Sequence, residues 1–374
     1  MVKIITTSGL DIGFWFPRPE RGARLAEELR RLGHSVTIYH DQAVPGDQAY
    51  VQKVDYSFIS GIRRLRSLSH DVMYTSRSFK PVLQLYANRC LGGSPYVYTI
   101  NGVIWEYYND RASTSKLGFI SKFAYPTAFR LAVSGAGIIV ANSSFLAEKI
   151  KLRIPKESGK IVPIYNGINY EGIESGKPKL NAWLPGNTRV LSIVTLNLLR
   201  KTEGVLLLAK AFEILCRKHE DLTYLIAAKS ENTDAVERVR KALNQLSCAN
   251  RVQVEVNRKD IPDLLATANL FLYATPPNSS DSLPRALLET QAAGVPTVTT
   301  STTGCGEAVL DGKTGLVVDY DSNSIAEAAS ELLNDGVRSR ILANRGMQSV
   351  RERFSWTRMA KSYEEIFLSI SDQS

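Results

Sequence analysis

The chain has 374 residues, of which 44% are hydrophobic and 22% charged. That balance suits a folded globular protein of two or three domains and excludes wholesale disorder, collagen or a chain-long coiled coil. The formal net charge of +9 is lopsided: residues 1–170 hold 22 Lys and Arg against 12 Asp and Glu, residues 171–374 hold 24 against 25. Nucleic acid, anionic lipid and phosphorylated ligands are all open as partners of the basic half, as is a merely solvated surface. Four cysteines without a C-x-x-C pair argue against a disulfide scaffold or zinc ribbon and fit a reducing compartment.

Residues 1–16 carry Thr6, Thr7, Ser8 and Asp11 where a signal peptide needs an apolar core. No apolar run reaches the ~18–20 residues of a membrane span. The expected address is the cytoplasm, with contact at a membrane surface left open. Residues 2–6 read as a strand, and 20–32 as a helix with Ala23, Ala26, Leu29 and Leu32 at helical spacing, ended by Gly33-His34. Strands follow at 35–39, 71–75, 96–100 and 137–141, with helices between them. This alternation predicts a parallel, doubly wound sheet covered by helices on both faces.

A segment rich in Gly, Asn and Pro, residues 164–179, reads as a linker, and then the pattern restarts. Strands are expected at 190–194, 222–227, 252–256, 270–274 and 297–299, and helices at 204–216 and 285–293. The predicted domains are 1–168 and 169–355. The amphipathic segment 356–370 either caps the second core or crosses back to the first domain, taking 356–374 with it. Ligands of open α/β sheets bind off the carboxyl ends of the strands, so the expected site is the cleft between the domains.

Residues 274–315 hold the densest chemistry. A strand runs into a Pro/Ser-rich loop, and a helix opens near Leu283-Pro284, where Pro284 suits the first turn and Ser282 the N-cap. The first-turn N–H groups and the positive dipole end of such a helix suit a diphosphate. Glu289 lies eight residues after Asp281. A carboxylate beside a phosphate site is favourable when it accepts hydrogen bonds from sugar hydroxyls, a ribose diol being the natural partner. On these residues alone, a nucleotide site and a surface helix with a solvated Glu both stay open.

The same stretch resembles the signature of the retaining family 4 glycosyltransferases. That signature has an acidic pair separated by seven residues, then G-x-P-x-V, then G-x-x-E and D-G-x-T-G. Here these are Asp281 and Glu289, Gly294-Val295-Pro296-Thr297-Val298, Gly304-Cys305-Gly306-Glu307 and Asp311-Gly312-Lys313-Thr314-Gly315. Asn142-Ser143-Ser144, the hinge-like Asn166-Gly167-Ile168-Asn169 and Gly33-His34-Ser35-Val36 resemble further family segments, so the likeness runs through nearly the whole chain.

The resemblance implies a GT-B fold, two Rossmann-like domains facing across a cleft. It also implies transfer of a sugar from a nucleotide-diphosphate sugar to an acceptor hydroxyl with retention, by front-face attack assisted by the leaving phosphate. Glu289 would bind the donor ribose, Asp281 would stand near the donor sugar, and the backbone at Ser282, Leu283 and Pro284 would hold the diphosphate. Arg258 joins this donor-binding set. Arg200 and Lys201 would be the cations of the leaving group, since departure of a diphosphate needs a charge clamp. No cofactor and no metal are expected.

The departures lie mostly in the first domain. Asp281 replaces the usual Glu, and the usual G-R is absent before Lys201. Phe14-Trp15-Phe16-Pro17 stands where a Gly-Gly loop is expected, and Asn101, followed by Gly102, stands where the family often has His. Asn101, Gly102 and Trp15 are the acceptor-side candidates. Trp15 and Phe16 read as a stacking surface for a sugar, a membrane-dipping loop or core, core being the safest single reading of two adjacent aromatics. The basic half is expected to meet a lipid-linked acceptor or anionic membrane, with Arg63 and Arg66 on one helix face, and nucleic acid is disfavoured. A GT-B epimerase or hydrolase, and a catalytically weakened paralogue, are the alternatives.

Overall fold

The computed structural model describes residues 9–15, 22–40, 50–55, 57–76, 79–107, 116–174, 188–196 and 201–371. The strand expected at 2–6, the loop Phe16-Pro17 and Arg200 lie outside the described residues. Two parallel sheets dominate. The first runs β3-β2-β1-β4-β5-β6-β7, with β1 Asp11–Trp15, β2 Ser35–His40, β3 Val51–Lys53, β4 Val72–Ser76, β5 Tyr96–Ile100, β6 Ile138–Ala141 and β7 Ile161–Pro163. The second runs β10-β9-β8-β11-β12-β13, with β8 Thr188–Thr195, β9 Leu222–Lys229, β10 Val252–Val256, β11 Leu270–Tyr273, β12 Thr297–Thr300 and β13 Leu316–Val318. Among the described residues every strand pairing is parallel.

Parallel strands covered on both faces need apolar side chains on both faces. Every residue of β5, β11 and β12 is buried. Between strands, the chain folds into amphipathic helices because apolar residues recur every three or four positions. Helix Gly22–Arg31 buries Leu25, Ala26 and Leu29. It stops at Gly33, whose φ of +99° is the left-handed conformation that glycine adopts without strain. His34 then accepts from the Leu10 N–H at 3.0 Å through Nδ1 and pairs with Glu364 through Nε2 at 2.9 Å. It anchors helix to strand rather than facing a ligand.

The chain forms two compact units. The first holds β1–β7 together with the C-terminal helix Trp356–Ser371, and the second holds β8–β13 and the helices between them. Met359, Tyr363, Phe367 and Ile370 of that last helix pack into one core with Ile12, Phe14 and Tyr74. The Tyr363 hydroxyl shares a 2.7 Å hydrogen bond with Thr99. Among the described residues no helix is long and apolar enough to cross a membrane.

Trp15 requires a correction. It closes β1, a central strand covered on both faces, and is fully buried. Its indole N–H donates to Gln84 Oε1 at 3.1 Å, and its ring lies 5.6 Å from that of Tyr39. Such a side chain offers no surface to an acceptor sugar, so its role is packing.

Candidate functional site

The site residues gather at the carboxyl edge of the second sheet. Its strand order reverses between β8 and β11, and such switch points are where open α/β sheets leave room for a ligand. Lys201 stands at the start of helix Thr202–Cys216, after β8, and Asp281 lies in the loop after β11. Lys201 Nζ donates to Asp281 Oδ1 at 2.8 Å, with side-chain exposures of 18% and 24%. An ion pair this far withdrawn from water is screened less than a surface pair.

Close backbone packing fixes that distance. A Cβ on Gly204 would lie 2.3 Å from the Ala274 carbonyl oxygen, so the first turn of helix Thr202–Cys216 rests directly on the end of β11. Gly304 is tighter still, its Cβ position falling 1.7 Å from the Ser282 carbonyl oxygen. The Thr302 hydroxyl donates to the Thr275 carbonyl at 2.7 Å, tying the loop after β12 to the loop after β11.

Asp281 has more partners than Lys201. Its Oδ2 lies 3.3 Å from Thr275 Oγ1, 3.3 Å from Ser279 Oγ and 3.4 Å from the Tyr273 hydroxyl, all three of which donate. Its own N–H donates to Ser279 Oγ at 3.2 Å. Burial, followed by the charge of Asp281, pushes the Tyr273 phenol well above its ordinary range, so Tyr273 stays a neutral donor. Burial likewise raises the nearby Cys305 thiol to about 11, which makes it an inert packing residue. Sequence reasoning misses Tyr273, Thr275 and Ser279. Their only signal is a run of hydroxyl side chains between the strand end and the acid.

Helix Arg285–Ala292 follows immediately. Ser282 is buried and lies two residues before the helix boundary. Pro284, with φ −67° and ψ 113°, is the boundary residue. Its extended ψ places the first helical residue at Arg285. Ser282, Leu283 and Pro284 are all buried and lead into the first turn, whose N–H groups have no acceptor within the helix. Glu289, one turn further on, accepts from Arg285 Nη2 at 3.0 Å and is 24% exposed. Burial raises its carboxyl above the usual range, and Arg285 partly opposes this.

The other candidates are held elsewhere. Arg258 follows β10, two strands away from β8. Its Nε donates to Asp260 Oδ1 at 2.7 Å, and it pairs also with Glu255. Those hydrogen bonds push its guanidinium further above its ordinary value, so it is a charge already matched. Asn101 and Gly102 follow β5 in the first unit. Asn101 Oδ1 accepts from Asn166 Nδ2 at 3.0 Å, and Gly102 has φ +108°. Among the described residues, no group of three or more His, Cys, Asp or Glu is arranged to hold a metal.

Comparison with known proteins places this geometry in a family. Residues 189–335 match the model "Glycosyl transferases group 1", and residues 23–171 match "Glycosyltransferase Family 4". The chain is 26% identical over 259 residues to the alpha-maltose-1-phosphate synthase of Mycolicibacterium smegmatis, a match covering 65% of each chain. It thus spans just under two thirds of that relative's length. A glycosyltransferase from Rickettsia africae superposes with a TM-score of 0.76 at 17% identity, over 98% of this chain and 100% of that one. Anabaena Alr3699/HepE, solved in complex with UDP, superposes with a TM-score of 0.72 at 16% identity, over 96% and 100%. With two adjoining family models and a shared two-sheet architecture, the chain belongs to the family 4, group 1 glycosyltransferases of GT-B fold.

Proposed function

We propose that the protein transfers a sugar from a nucleotide-diphosphate sugar to an acceptor hydroxyl with retention of anomeric configuration. The observation that carries this reading is the placement of Lys201, Asp281 and the start of helix Arg285–Ala292 together at the switch point of the second sheet. A diphosphate there meets the Lys201 ammonium and the helix N-terminus, the two elements that stabilise the charge of a departing nucleotide. Glu289 accepts from the ribose hydroxyls, and Asp281 stands by the transferred sugar. The UDP in the Anabaena structure supports a nucleoside diphosphate as the common ligand.

A thermal-shift screen against UDP-, GDP- and ADP-sugars tests the donor, because a bound ligand raises apparent stability. Glu289→Ala is expected to abolish that shift and to lower transfer at least about 100-fold, in keeping with loss of a charged hydrogen-bond partner. Retained transfer overturns the assignment of Glu289. The positive groups of the site are proposed to neutralise the leaving diphosphate without a bound metal, so transfer is expected to survive EDTA.

The first unit is proposed to take a lipid-linked or cell-surface glycan precursor at an anionic membrane. Helix Phe58–Arg66 exposes Phe58 and Ile59 and carries Arg63, Arg64 and Arg66 without any acidic residue. Apolar side chains beside cations suit an anionic bilayer surface. Liposome flotation is expected to show a preference for anionic over neutral vesicles that Arg63→Glu with Arg66→Glu removes. Equal flotation with both vesicle types overturns it.

A further inference from the structure

We infer that Asp281 is an internal counter-ion that competes with the nucleoside diphosphate for Lys201, and so limits how tightly the site holds that product. The inference rests on the donor-site reading above and goes beyond it, since that reading gives the two residues to different parts of the donor.

The geometry leads there directly. One carboxylate oxygen takes the Lys201 ammonium at 2.8 Å. The other is surrounded by the hydroxyls of Tyr273, Thr275 and Ser279 at 3.3–3.4 Å. Those donors come from the end of β11 and the loop that follows it, so the acid is anchored from behind, with the cation in front. Close contact of Gly204 with the Ala274 carbonyl keeps the helix that carries Lys201 from drawing away. The shorter Asp side chain in place of Glu belongs to the same arrangement: the carboxylate stays close to its own strand.

A diphosphate at the helix N-terminus and the Asp281 carboxylate both require Lys201 as partner. Two anions sharing one cation in a partly desolvated site each weaken the other's hold. Ion pairing therefore favours departure of the nucleoside diphosphate, since Asp281 recovers Lys201 as the product leaves. The hydroxyls of Tyr273, Thr275 and Ser279 act as positioning groups that keep the carboxylate within reach of Lys201.

The test is calorimetric titration of the whole protein with UDP, GDP and ADP. The isosteric variant Asp281→Asn is expected to bind the preferred nucleotide about tenfold more tightly than the unmodified protein. Its turnover is expected to fall, with stronger inhibition by the same nucleotide. Lys201→Met is expected to bind more weakly. The deciding measurement is the double variant: in the Lys201→Met background, Asp281→Asn is expected to lose most of its gain, because no shared cation remains. An equal gain with and without Lys201 overturns the inference and reduces Asp281 to simple charge repulsion. Unchanged or weaker binding by Asp281→Asn also overturns it, while leaving the donor site standing. Failure of the unmodified protein to bind any of the three nucleotides overturns the donor-site reading and the competition together. Thr275→Val, which removes one positioning hydroxyl but keeps the charge, is expected to give a smaller gain in the same direction, and Thr275→Ser to restore the original affinity.

Discussion

In each unit the strand order reverses once, between β1 and β4 in the first and between β8 and β11 in the second. At the second reversal the described residues include a cation, a carboxylate and a helix start. At the first, β1 ends in Trp15, buried against Gln84 and Tyr39. One strand along from β4, Asn101 is paired with Asn166. The architecture repeats; among the described residues, the chemistry does not. Charge follows the same division: the basic excess lies in residues 1–170, yet the Lys201–Asp281 pair sits in the nearly neutral remainder. A reactive site needs a few charges held against each other at fixed distance, whereas a field that attracts an anionic surface needs many of one sign spread over a face.

The largest expected effect comes from breaking the packing that holds the second site. Gly304→Ala puts a Cβ against the Ser282 carbonyl, a contact with backbone that no rotamer relieves. A loss of about 3 kcal/mol is expected, seen as a lower midpoint in urea, together with loss of nucleotide binding. The comparison would fail if this variant bound nucleotide normally.

Much of this arrangement is legible in the amino-acid sequence. Regular alternation of apolar runs marks most strands, and the order Asp281, Glu289, Gly304, Glu307 follows from chemistry that the family shares. The misreadings are local and have physical causes. Gly13 lies inside β1, where Met73 and His70 fill the space a side chain would take. The strand at 11–15 carries no clear sequence signal, which leaves Trp15 in a loop, and a loop aromatic suggests a ligand. Ser282 has the composition of an N-cap but is displaced by Pro284. The strands β3, β7 and β13 have three residues each, too few for any period to show. The pairing of Lys201 with Asp281 joins residues 80 positions apart, and only the strand order makes them neighbours.

A middle-sized effect tests the first unit. Trp15→Phe removes the donor to Gln84 and leaves a void in the core, at an expected cost of about 2 kcal/mol. Nucleotide affinity is expected to stay unchanged in calorimetry, since Trp15 packs in the first unit's core. Loss of acceptor affinity with unaltered stability would restore Trp15 as a ligand residue.

The smallest expected effect is a change of slope with pH at Glu289. Its folded carboxyl sits above the usual carboxylate range because burial disfavours the ionised form. The native state therefore holds this proton more tightly than the unfolded chain does. Such a group's contribution to stability is fully present below the unfolded value and is lost as pH rises through the folded one. Glu289→Gln keeps the size and removes the titration, so it should gain on the unmodified protein across that interval, with melting temperatures compared from pH 4 upward. Nucleotide binding runs the opposite way in the unmodified protein. Ribose hydroxyls donate best to the ionised form, so donor affinity should fall as pH drops through the folded value of Glu289. Glu289→Gln should bind weakly at every pH. A carboxylate that lowers stability where it is ionised and raises affinity over the same interval is a binding group, and parallel pH profiles in the two proteins would show instead that Glu289 only packs against Arg285.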